Sequence, residues 1–151
     1  MCNSIREKIK IYQIWRILLS DGQVEIGKMR KWKIDRDCLQ TILESSRAMH
    51  PREFAAFLRA EGDVIKEILL MPGMIHGDRH AIFNIAMLPI DYSIVGTVHS
   101  HPSYSNRPSG EDLHMFSKYG KVHIIVAMPY DEKSWRAYDW NGREIEVEVI
   151  E

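Results

Sequence analysis

The chain has 151 residues, 45% of them hydrophobic, and 20 Lys and Arg against 21 Asp and Glu give a formal net charge of −1. That is the size of one domain by the usual range of about 100–200 residues, with enough apolar content for its own core and no global field to draw it to nucleic acid or anionic lipid. Two distant cysteines, Cys2 and Cys38, offer no disulfide framework. No apolar stretch approaches the roughly 20 residues of a membrane span. Met1 to Lys8 is charged and lacks the apolar core of a signal peptide. A cytoplasmic protein without membrane or nucleic-acid partners is expected.

Ile9, Ile11, Trp15, Ile17 and Leu19 share one parity, and Val24 and Ile26 resume it after Asp21-Gly22. This predicts a β-hairpin over about 9–29. It reads as an N-terminal extension, residues 1–32, packed on a core domain over 33–151. Its plain role is to cover a sheet edge, and its functional alternative is a surface that recruits a partner. Lys28, Arg30, Lys31, Lys33 and Arg36 surround Trp32. With so small a net charge, this reads as a solvated rim rather than a nucleic-acid patch.

Asp35 is a candidate N-cap. Cys38, Leu39, Ile42, Leu43, Ser46 and Met49 recur at helical spacing, which predicts a helix over Arg36 to Met49, stopped by Pro51. Cys38 lies on the apolar stripe and reads as core. The run Phe54-Ala55-Ala56-Phe57-Leu58 predicts a buried strand, with Glu53 at its start. Val64 to Leu70 is another strand. His76 and His80 are four apart, but Gly73 and Gly77 argue against a helix, so they read as loop histidines. A strand over Ala81 to Met87 follows, and only a short link then leads to the next strand.

Ile94 to Val98 predicts a buried strand that runs into His99-Ser100-His101. Alternation along a strand puts His99 and His101 side by side, with Ser100 turned away. Pro102 and Pro108 bracket a loop, and Ser109 opens a helix expected to reach about Tyr119. Asp112 falls in its first turn. Ser109-Gly110-Glu111-Asp112 fits a variant capping box with Asp in the usual Glu or Gln place. The same aspartate can also complete a set of two imidazoles and one carboxylate, which suits zinc with an open fourth position. Beyond Gly120, Lys121 to Met128 reads as a buried strand holding His123 as a satisfied sheet residue. Ser134 to Trp140 is expected to pair through Asn141-Gly142 with Arg143 to Ile150, where Ile145, Val147 and Val149 alternate with glutamates.

His99-Ser100-His101, seven residues, Ser109, two residues, Asp112 resembles the signature of the JAMM/MPN+ metallopeptidases, His-(Ser/Thr)-His-x7-Ser-x2-Asp. Pro51, Glu53 and Leu58 match the family's Pro-x-Glu-x-x-Gly-x-Leu-x-Gly context, with Ala56 and Ala60 in place of its two glycines. Alanine adds a Cβ at positions the family keeps smallest. Glu44 and Glu61 are weaker candidates for the same acid. The likeness covers roughly Lys33 to Trp140. Other metal patterns fail. A metallo-β-lactamase-like His-x-His-x-Asp-His would need Asp and His where Ser103 and Tyr104 stand, and nucleobase deaminases need His-x-Glu and Cys-x-x-Cys.

The resemblance implies an α/β fold: a single deaminase-like MPN domain with a mixed β-sheet flanked by helices. It implies one zinc per chain on His99, His101 and Asp112, Glu53 as general base and Ser109 as oxyanion donor. It implies hydrolysis of an amide or isopeptide bond at the C-terminus of a ubiquitin-like protein or its conjugates. A small sulfur-carrier protein is the alternative substrate, and a non-catalytic MPN scaffold the alternative role. Many relatives carry a crossover helix before the His-x-His strand, for which this chain has little room. The insertions that grip ubiquitin chains have no counterpart, as in a compact prokaryotic-type member. Oligomeric state is left open.

Overall fold

A computed structural model describes residues 31–70 and 90–151. The expected hairpin over 9–29, His76, His80 and the strand over 81–87 lie outside the described residues. Among those described, chain order is β1 (Trp32–Asp35), α1 (Arg36–Met49), β2 (Ala55–Glu61), β3 (Val64–Leu69), β4 (Ile94–Ser100), α2 (Gly110–Phe116), β5 (Val122–Val126), β6 (Trp135–Tyr138), β7 (Glu144–Ile145) and β8 (Val147–Ile150). No described helix is long and apolar enough to cross a membrane.

The strands form one mixed sheet in the order β7-β6-β5-β4-β2-β3-β1-β8. β4 lies inside it, antiparallel to β2 and parallel to β5. Strands buried on both faces carry near-continuous apolar runs, and all five residues of β5 are buried. On one face Ala56, Leu58, Val98, Ile124 and Val126 pack with Cys38, Leu39, Ile42 and Leu43 of α1. On the other, Ala55, Phe57 and Ile125 pack with Met115 and Phe116 of α2. Each fully buried Leu, Ile or Phe contributes about 1.5–3 kcal/mol, so the two helices are held chiefly by these stripes. Gly96 allows β4 and β5 to approach: a Cβ there would stand 1.5 Å from the Val122 carbonyl oxygen.

Helix α1 matches its expected span, and the Asp35 carboxylate caps it by accepting from the Asp37 amide at 3.0 Å. Helix α2 is shorter than expected. Ser117 is its C-cap, and Gly120, at φ 102°, turns the chain beyond it rather than ending it.

The C-terminal hairpin is also different. Of the segment expected to pair with β6, β7 alone does so, through Ala137↔Ile145 and Tyr138↔Glu144. Its turn runs from Asp139 to Arg143. The Asp139 amide donates to the Arg143 carbonyl, and Gly142 takes φ 77°. The Asp139 carboxylate accepts from the Asn141 and Arg143 amides, so Asn141-Gly142 does not form a two-residue turn. Val147–Ile150 instead pairs in parallel with β1, at the far edge. Only Glu146 separates β7 from β8, and consecutive Cα atoms are about 3.8 Å apart. The sheet therefore curls until its edges come together.

β1 itself was not expected. Trp32 and Ile34 are buried while Lys33 and Asp35 are half-buried, so Trp32 belongs to the core and only its basic neighbours make the rim.

Candidate metal centre

The site grows from the end of β4. His99 is its penultimate residue and His101 follows it, and both rings point to the α2 face. Their Nε2 atoms lie 3.2 Å apart. Ser100, turned to the other face, accepts from the Phe54 amide with its Oγ at 2.8 Å, while the Ser100 amide donates to the Phe54 carbonyl at 2.8 Å. These two hydrogen bonds lie just beyond the β2–β4 register, in which Ala55 faces His99.

The loop from His101 to Pro108 is pinned along its length. The His101 amide donates to the Val126 carbonyl, the Met128 amide to Ser103, and the Tyr138 hydroxyl to Asn106. The loop thus returns the chain to the histidines at Ser109, where α2 begins. Ser109 and Asp112 form the reciprocal capping box. The Ser109 amide donates to Asp112 Oδ2 at 2.7 Å, and the Asp112 amide donates to Ser109 Oγ at 3.2 Å. The box orients the buried carboxylate, whose Oδ1 lies 3.0 Å from His99 Nε2 and whose Oδ2 lies 3.3 Å from His101 Nε2. Capping and convergence thus occur together on one side chain.

These three residues are a set able to hold a metal ion, and their geometry tests the fit. Zinc bonds of about 2.0 Å in a tetrahedron imply ligand atoms about 3.3 Å apart, close to the spacings observed. The His101 Nδ1–H is directed at the Ser105 carbonyl at 2.9 Å, which leaves the Nε2 lone pair for the ion, the usual support for a metal-bound imidazole. Burial works to raise the Asp112 carboxyl. Where no ion takes the Nε2 lone pairs, hydrogen bonds from His101 and His99, the charge of His99 and the Ser109 amide outweigh it and hold Asp112 well below the usual carboxylate range. His101 is raised, chiefly by its bond to Asp112 against the opposing effect of burial, with smaller support from the Ser105 carbonyl and the charges of Asp112 and Glu53. An anionic carboxylate beside two imidazoles is the donor chemistry a borderline-soft divalent cation takes.

Glu53 is half-buried and its charge reaches His101 and Tyr130. Glu44 lies exposed on α1. Glu61 ends the opposite end of β2 and holds Lys66 at 2.8 Å, so neither alternative reaches the cluster. His123 is buried and pairs through Nδ1 with Thr97 Oγ1 at 2.8 Å, its ring stacked on Phe116 at 4.2 Å. Backbone hydrogen bonding at Phe116 and Gly120 also bears on the ring. Burial first, then the charge of His99, push it down to about 4, so it stays neutral. A cleft of about 530 Å³ lined by Trp135, Arg136, Glu144 and Glu146 shares no residue with the cluster.

Sequence reasoning missed two supports of the site. One is Ser100, readable from the strand parity that turns it toward β2. The other is Tyr130, which nothing in the local sequence marks.

Residues 35–138 match a family described as prokaryotic homologs of the JAB domain. A probable metalloprotease of Haloferax volcanii is 34% identical over 128 residues, 78% of this chain and 79% of that protein. Among solved structures, one described as a JAMM metalloprotease-like zinc site in the proteasome and signalosome is 45% identical. It covers 80% of this chain and 99% of its own, with a TM-score of 0.65. A JAB1/MPN domain protein from Archaeoglobus fulgidus is 44% identical, over 80% of this chain and 98% of its own, with a TM-score of 0.64.

Proposed function

The chain belongs to the JAMM/MPN+ family of zinc metalloproteases, and we propose that it hydrolyses the amide or isopeptide bond at the C-terminal tail of a ubiquitin-like protein. The observation that carries this reading is the meeting of His99, His101 and Asp112 within hydrogen-bond distance at the end of β4. In this reading those three residues hold one zinc ion per chain. When bound, zinc acts as a Lewis acid and makes water a usable nucleophile near neutral pH.

The chain's own groups carry the rest. Glu53, whose charge reaches His101, takes a proton from the attacking water and returns it to the leaving amine as the C–N bond breaks. Ser109 Oγ accepts from the Asp112 amide, so its own O–H proton is available to donate to the carbonyl oxygen as that oxygen becomes negative. Asp112, gripped by the Ser109 amide, keeps its place without help from substrate. Water adds and amine leaves, so the products are a carboxylate and a free amine.

The test is cleavage of a panel of ubiquitin-like conjugates and sulfur-carrier C-terminal fusions by zinc-loaded protein, beside Glu53→Gln. Glutamine keeps the shape of Glu53 but cannot act as a base. Wild-type cleavage with at least about a 10²-fold loss in Glu53→Gln and unchanged zinc content is expected. Equal rates in the two proteins would remove Glu53 from the mechanism. Cleavage of only the sulfur-carrier fusions would move the substrate class.

A further inference from the structure

Glu53 lies in the short connection between α1 and β2, where no secondary structure of its own fixes it. One side of this connection is held by the reciprocal bonds of Phe54 and Ser100. The other side is held by something outside both elements. Tyr130, buried beyond β5, sends its hydroxyl between the two halves of the site. The hydroxyl donates to the His101 carbonyl at 3.1 Å. His50 Nδ1, at the end of α1, stands 2.9 Å from the Tyr130 hydroxyl oxygen. A phenol has one proton, and it is used on His101, so His50 Nδ1–H must be the donor to Tyr130. The Tyr130 carbonyl in turn accepts from Arg47 in the last turn of α1, at 2.9 Å. Tyr130 adopts φ 63°, a left-handed conformation a bulky side chain rarely takes unless its surroundings impose it. The Arg47, His50 and His101 contacts are such surroundings, and non-glycine residues held this way cluster at functional sites.

We propose that Tyr130 and His50 form a clasp that positions Glu53 against the metal ligands, with Tyr130 acting as a positioning residue for the proton-transfer step. The clasp joins the backbone of His101 to the residue three before Glu53. With the Phe54–Ser100 pair it holds the connection at both ends, so the backbone that carries Glu53 cannot shift against His101 without breaking a bond. Burial first, and the charge of Glu53 second, raise the Tyr130 phenol, so the hydroxyl remains a donor at neutral pH. The role assigned to Glu53 rests on the proposed function, but the clasp itself is a matter of bonds and can be read without turnover.

The experiment uses zinc-loaded full chain as wild type, Tyr130→Phe, His50→Ala, His50→Asn and Glu53→Gln. Phenylalanine keeps the buried ring and removes only the hydroxyl. His50 is exposed, so its variants keep the fold available should Tyr130→Phe fail to fold, and Asn presents an N–H near the position of Nδ1. The first readout is amide exchange by NMR at Arg52 and Phe54, whose amides are bonded to the Met49 carbonyl and Ser100 Oγ. Exchange at least about tenfold faster in Tyr130→Phe and His50→Ala, with Ile124 unchanged and zinc content equal to wild type, is expected. The second readout is hydrolysis of a ubiquitin-like protein with a C-terminal fluorogenic amide. A fall in kcat of about 10- to 100-fold with KM unchanged, and recovery in His50→Asn, is expected.

Unchanged exchange at Arg52 and Phe54 overturns the clasp whatever the activity. Faster exchange with full kcat, where Glu53→Gln is dead, overturns its positioning role. Full activity in Glu53→Gln overturns the proposed mechanism instead and leaves the exchange result to judge the clasp.

Discussion

Replacing Ser109 by Ala separates two jobs of one hydroxyl. As a cap, Ser109 Oγ accepts one bond, from the Asp112 amide at 3.2 Å. The reciprocal bond at 2.7 Å uses the Ser109 backbone amide and survives the substitution. Half of the box remains, and the freed Asp112 amide lies next to an exposed residue. The stability loss should therefore fall low in the usual range for caps, about 1 kcal/mol. For a chain of this size that is a drop in Tm of about 2–4 °C. Such a loss leaves nearly all molecules folded if stability is the ordinary ~5–15 kcal/mol, so it cannot by itself slow turnover. An oxyanion donor, by contrast, is worth about 10²–10³ in rate. Thermal melts, zinc content and single-turnover rates on one preparation make the comparison. The expected result is a small Tm drop, retained zinc and a rate loss of at least about 10²-fold. A Tm drop with an unchanged rate would leave Ser109 as a cap only and remove it from the mechanism.

Gly96→Ala should fail to give folded protein or lose several kcal/mol of stability, because the added Cβ would sit 1.5 Å from the backbone oxygen of Val122 and β4 and β5 cannot both keep their places. A urea midpoint close to wild type would show that the strands can part. Cys38 is 5% exposed, and burial, helped by Asp35 and Glu67, pushes its thiol up to about 12. In a Cys2→Ser background it should ignore a thiol reagent at pH 8 until denaturant is added. Rapid labelling of the folded protein would contradict its place in the core.

The site was legible where chemistry and periodicity coincide. His99, His101 and Asp112 are metal-ligating residue types at fixed spacing, and strand parity alone puts the two rings on one face. The span of α1 was legible because its apolar stripe is strong and both ends are signalled, by Asp35 and by Pro51. What escaped the sequence depends on partners. β1 is four residues among cations, too short for its Trp32/Ile34 alternation to stand out. The alternation of Val147 and Val149 shows that one face is buried but not which strand lies alongside, so β8 reads equally as the second arm of a hairpin or as the neighbour of β1. Helix α2 ends at Phe116 although residues out to Tyr119 could continue it. Tyr130 follows a proline in an apparent turn, and its contacts with His50 and His101 exist only once α1 and the sheet are assembled.

In the proposed mechanism His99, His101 and Asp112 together hold the ion on which activity depends. Zinc bound per chain, measured by elemental analysis after equilibrium dialysis for wild type and for folded His99→Ala, is the test of that ligand set. One zinc per wild-type chain and a marked loss in His99→Ala, with unaltered secondary structure by circular dichroism, is the expected result. Full zinc content in the folded variant would contradict the assignment and place the ion elsewhere.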